Sequence, residues 1–83
     1  MMYGEKDEYI VDDAYIRETD KAIGLPVSRR RSDVRIATIW FPKSQVQLLP
    51  LGYHRVKVTI PHWIMNRKRE SGELLSGHDI LTI

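Results

Sequence analysis

The sequence predicts a small α+β fold, mainly antiparallel β: a small sheet or partly closed barrel of four or five strands, with one short helix near residues 61–71. Three observations predict it. β-branched and aromatic residues gather in short runs, above all Val34 to Phe41. Residues 55–60 alternate strictly, with Val56, Val58 and Ile60 on one face and Arg55, Lys57 and Thr59 on the other. One segment opens on Pro61 and reaches Gly72 with Arg67, Lys68 and Arg69 near its end, which is helical punctuation.

Length sets the scale. Eighty-three residues make one small domain, 1–83, and are too few for two. A hydrophobic fraction of 42% and a charged fraction of 29% exclude collagen-like, low-complexity and wholly disordered chains. No apolar run approaches the roughly 20 residues of a membrane helix. The acidic N-terminus lacks the apolar stretch of a signal peptide. Cysteine is absent, so disulfides, thiolate nucleophiles and Cys-based metal sites are excluded. Small secreted domains usually carry disulfides, so the expected setting is a reducing cytoplasm with no membrane partner.

Taken in order, residues 1–8 read as a frayed start. Tyr9-Ile10-Val11 is a short β-prone cluster ended by Asp12-Asp13. Ile23, Leu25 and Val27 alternate with Ala22, Gly24 and Pro26 as a strand, and Pro26, which lacks an N–H, argues for an edge or a strand end. SRRRSD (28–33) is a polar connector. Val34 to Phe41 is apolar on both faces from Ile36 onward and is expected to be a central strand, stopped by Pro42. Pro50-Leu51-Gly52 is a turn signal. The alternating strand 55–60 follows, with Pro61 at the first position of the helix. Residues 73–83 form a tail whose Leu74, Leu75, Ile80 and Leu81 can pack back. The expected core is Ile23, Leu25, Ile36, Thr38, Ile39, Trp40, Val46, Val56, Val58, Ile60, Trp63 and Ile64.

Charge is unevenly spread although the formal net is only +2. Residues 1–20 carry seven acids against two bases. Residues 21–69 carry eleven bases and one acid, Asp33, and residues 70–83 carry three acids. A basic centre between acidic ends can bind a polyanion, or the acidic arm can fold over it and neutralise it.

Three segments carry a resemblance: Glu18-Thr19-Asp20-Lys21-Ala22, Trp40-Phe41-Pro42-Lys43-Ser44-Gln45-Val46 and Val58-Thr59-Ile60-Pro61-His62-Trp63. Over residues 17–68 the chain resembles small uncharacterised proteins of bacteriophages and other mobile elements, with an E-T-x-K-A, W-x-P-K-S-Q, V-x-V/I-P-x-W pattern. Gly24-Leu25-Pro26, the SRRRSD connector and the longer tail depart from that pattern. The resemblance implies a mobile-element origin, a small β-rich domain and a bacterial host cell.

Candidate chemistry is that of a binder. Arg29, Arg30, Arg31 and Arg35 are the densest charge, and guanidinium groups fork onto phosphates or carboxylates. Trp40 to Gln45 places an aromatic, Lys43 and two hydrogen-bonding residues at a strand end, where they would hold a base or phosphate, or form core and bend. Arg55 and Lys57 share a strand face, and Arg67 and Lys68 lie on the helix. Tyr53 and His54 follow the expected turn and can stack on a base. Lys43-Ser44 lacks the glycines of a phosphate-binding loop. His54, His62 and His78 have no metal-ligand spacing, and no serine sits in a nucleophile elbow. The expectation is a non-catalytic module without cofactor or metal, binding nucleic acid through Arg29, Arg30, Arg31, Arg35, Lys43, Arg55, Lys57, Arg67 and Lys68. The alternative is a protein-binding accessory factor of the anti-CRISPR kind, inhibiting a host nucleoprotein complex. An exposed sheet edge would also permit a homodimer.

Overall fold

A computed structural model describes residues 5–83. The strands are β1 (Lys6–Asp12), β2 (Arg17–Glu18), β3 (Ala22–Arg29), β4 (Ala37–Pro42), β5 (Gln47–Gly52), β6 (Arg55–Pro61) and β7 (His78–Ile80). Single 3-10 turns at Asp13–Tyr15 and Lys43–Gln45 interrupt them, and helix α1 (His62–Glu70) follows β6. Among the described residues the strands form two antiparallel sheets and no closed barrel. One has the order β1-β6-β5; in the other β3 lies between β4 and the pair β2 and β7.

Period-2 patterning places one face of each sheet inward. Val11, Val56, Val58 and Ile60 of the first sheet share a core with Ile23, Leu25, Val27, Ile39 and Phe41 of the second. Ile64 and Met65 of α1, with Leu74 and Ile80, complete it. The helix runs 62–70, with Pro61 capping it rather than occupying its first turn. Gly72, at φ +80°, ends it in the left-handed region, donating its N–H to the Arg69 carbonyl at 3.2 Å.

Several expectations are corrected. β3 is the central strand of its sheet and β4 an edge, the reverse of the prediction. Pro26 is tolerated because its carbonyl accepts from Leu81 N–H at 2.9 Å, so its nitrogen faces the same side. There β2 pairs only with Ile23 and Gly24, and β7 with Val27 to Arg29, so no strand needs a donor from Pro26. On β4 the inward parity belongs to Ile39 and Phe41; Ile36 and Trp40 are exposed and Thr38 is half-buried, so these three leave the expected core. Trp63 also leaves it, being 40% exposed. The turn expected at Pro50-Leu51-Gly52 lies at Tyr53-His54, where both residues and Gly52 have positive φ. Residues 6–8, expected to fray, pair with β6; residues 1–4 of that start lie outside the described residues. The tail is tied in by β7, with Leu74, Ile80 and Leu81 buried.

β1 also settles where part of the acidic arm goes. It lies alongside β6 with Asp12 opposite Arg55, and Glu8 reaches Lys57 at 3.7 Å. The acids of β1 are thus built into the sheet, and removing them would remove a strand.

Candidate nucleic-acid interface

The connector between β3 and β4 presents the arginines. Ser32 N–H donates to the Arg29 carbonyl at 3.0 Å, closing a tight turn over Arg30 and Arg31. Arg31 sits at φ +66°, a left-handed conformation that costs a non-glycine residue about 1–2 kcal/mol. Arg30 N–H donates to the Gly77 carbonyl at 2.8 Å, which anchors the turn against β7. Arg29, Arg30 and Arg31 are all exposed, and among the described residues none of their side chains forms an ion pair. They rim a hollow of about 280 Å³ shared with Ser28, Asp79 and Thr82. Three guanidinium groups on one tethered turn form a local concentration of unmatched positive charge.

The outer face of the same hairpin carries an aromatic platform. Trp40 is 41% exposed and lies directly across from Gly24. A Cβ at Gly24 would stand 2.8 Å from Thr38 Cγ2 and 3.0 Å from Trp40 Cη2 and Cζ3. Only glycine leaves room for the indole to close over the strand. Two residues along on the same face, Thr38 Oγ1 accepts from the Arg35 guanidinium at 3.3 Å. Thr38 and Trp40 therefore form a strip on the outer face of β4, and Arg35 of the connector reaches it through Thr38.

The other expected contacts are placed elsewhere. Lys43 is ion-paired with Glu18 and also donates to the Thr19 carbonyl at 3.3 Å, bracing the β2–β3 turn against the 3-10 turn 43–45. Arg55 and Lys57 lie on the other sheet beside the acids of β1. Arg67 stacks on the Trp63 ring, 5.9 Å from its centroid. Lys68 lies 5.5 Å from the Phe41 ring centroid and 3.2 Å from Glu73. Hydrogen bonds from Ser71 and Lys68, with the charge of Lys68, hold the Glu73 carboxyl below the usual range. Pro42, Gln45, Trp63, Ile64, Arg67, Lys68, Ser71 and Glu73 line a groove of about 450 Å³.

The structure thus gathers Arg29, Arg30, Arg31 and Arg35 on one hairpin, and Arg67 and Lys68 at the groove; Glu18 meets Lys43 and Glu8 meets Lys57, while Arg55 lies opposite Asp12 in the ladder. Of the two readings open for Trp40, base-holding aromatic or core, its exposure excludes the core, and Gly24 held that signal once the register was known. No family model matches the chain, and no curated protein or solved structure matches it.

Proposed function

We propose that this protein is a non-catalytic nucleic-acid-binding module of phage or mobile-element type that works through the β3–β4 hairpin. One observation carries the reading: an exposed indole laid over Gly24, on the same hairpin as four arginines that have no ion pair among the described residues. Phosphates would lie along Arg29, Arg30, Arg31 and Arg35, and a base would stack on Trp40. Lys57 and Lys43 contribute less, because Glu8 of β1 and Glu18 of β2 already match their charge, and Arg55 stands alone on the other sheet.

The test is a salt-titrated binding measurement with single- and double-stranded oligonucleotides. Binding should weaken steeply with salt. Replacing Arg29, Arg30 and Arg31 together by Gln should flatten the slope of log affinity against log salt by about 2 to 3. Absence of binding at low salt would overturn the reading.

A second reading, a protein-binding accessory factor acting on a host defence complex, is favoured by β5. That strand has no charged residue, and all of it is exposed, Leu49 and Leu51 included. Tyr53, 94% exposed, stands at the tip beside it. Capture of a host complex by the intact protein, lost on Leu49→Ser with Tyr53→Ser, would support this reading over the first.

A further inference from the structure

The groove between the 3-10 turn 43–45 and α1 is not explained by packing. Trp63 begins the helix yet leaves its indole 40% exposed. Its volume of about 450 Å³ falls among small-ligand sites, about 300–1,000 Å³. Pro42 and Ile64 give it apolar walls, and Gln45 and Ser71 line it with hydrogen-bonding groups.

Charge in the groove is unequally satisfied. Glu73 accepts from Ser71 Oγ at 2.9 Å and from Lys68 at 3.2 Å, so its charge is already met. Arg67 has no acid partner among the described residues; its recorded neighbour is the Trp63 ring. An occupant that offers a flat ring and an anion would take both the indole face and the guanidinium. The groove and the strip described above are linked through Pro42 of β4. Pro42 lies two residues beyond Trp40 on the same face of β4, about 7 Å along the strand, and is itself a wall of the groove.

We propose that this groove is a second stacking site for a single-stranded nucleic acid, with a base on Trp63 and a phosphate on Arg67, reached from Trp40 across Pro42. The proposal rests on the nucleic-acid reading of the β3–β4 hairpin and names its ligand class. A duplex keeps its bases stacked inside, whereas a single strand offers one to each indole.

The two tryptophans allow each site to be read alone. Trp40→Phe leaves Trp63 as the sole tryptophan, and Trp63→Phe leaves Trp40. Both positions are partly exposed, and circular dichroism checks that the variants fold. Thymidine oligomers of about 4 and about 12 nucleotides serve as probes, spanning common single-strand site sizes. The longer oligomer should quench Trp63 in the Trp40→Phe variant. Trp63→Ala should weaken binding of the longer oligomer roughly 10-fold, and that of the shorter one less. Arg67→Gln should lower the salt slope by about 1.

Quenching of Trp40 alone, with Trp63→Ala binding as tightly as the parent, would overturn this inference and leave the hairpin reading standing. No binding and no quenching at low salt would overturn both. Quenching of Trp63 by an acidic aromatic peptide but not by the oligomers would overturn it in favour of a protein ligand. Equal or tighter binding of a duplex of the same length would overturn the single-strand assignment.

Discussion

The two long hairpins solve the same problem in opposite ways. The β3–β4 hairpin buries its inner face in the core, and its long connector carries arginines with no ion pair among the described residues. The β5–β6 hairpin is joined by two left-handed residues, Tyr53 and His54, and leaves all of β5 exposed without a charge. Of its bases, Lys57 is ion-paired with Glu8 of β1, and Arg55 lies opposite Asp12 in the ladder with no ion pair among the described residues. Exposed ion pairs of this kind contribute about 0–1 kcal/mol each. Their greater effect is to cancel the charge that would attract a polyanion. Long-range attraction is therefore concentrated on one hairpin, and apolar contact area on the other.

The largest expected effect breaks the packing side of that comparison. Phe41→Ala should cost about 3–5 kcal/mol, because the ring is fully buried between the sheets. Leu49→Ser, on the exposed strand, should stay within about 0.5 kcal/mol. Urea melts of both variants check the pair, and similar losses would show that β5 is covered in solution.

Charge gives the next contrast. Lys57→Gln, which removes a base already paired with Glu8, should leave the salt slope of oligonucleotide binding within about 0.5 of the parent. The triple arginine variant should lower it several times more. Equal slopes would mean that β1 does not screen β6.

The seam between the sheets can be read through pH. Burial, then the charges of Asp7 and Asp79, push the Tyr9 hydroxyl from its ordinary 10 up to about 12. The folded state thus holds this proton where the unfolded chain releases it. Its contribution to stability should be intact below pH 10 and decline between pH 10 and 12. Thermal melts should show that alkaline loss, reduced in Tyr9→Phe.

The smallest effect concerns the tight turn. His54→Gly should stabilise the protein by up to about 1 kcal/mol, since glycine adopts φ +63° without a Cβ penalty. A chemical melt resolves it, and a loss of stability would show that the imidazole, 3.4 Å from Asp13, outweighs the backbone strain.

What the sequence makes legible follows from local rules. The alternation in β6 and the Pro61 and Gly72 punctuation of α1 depend only on near neighbours. The parity of β4 does not. Ile36, Thr38 and Trp40 alternate with Ala37, Ile39 and Phe41, and either set can face inward on composition alone. Only pairing with β3 decides, since Trp40 then meets Gly24. Pro26 misled for a related reason: a missing donor excludes a central position only if another strand needs it. Strand β7, three residues long, is too short to show a period. The arginine cluster was legible as charge; that it stands apart from Arg55 and Lys57 depends on which strands share a sheet.

The ladder between β1 and β6 has a kinetic consequence. Each of its pairs, from Lys6 with Pro61 to Asp12 with Arg55, joins residues more than forty positions apart. Closing so long a loop costs entropy before any ladder bond forms. Topologies dominated by such distant pairings fold on the order of milliseconds to seconds. Until β1 arrives, one edge of β6 stands open and the apolar β5 is already its neighbour, so the interval before closure is when this chain is most prone to associate with its own copies.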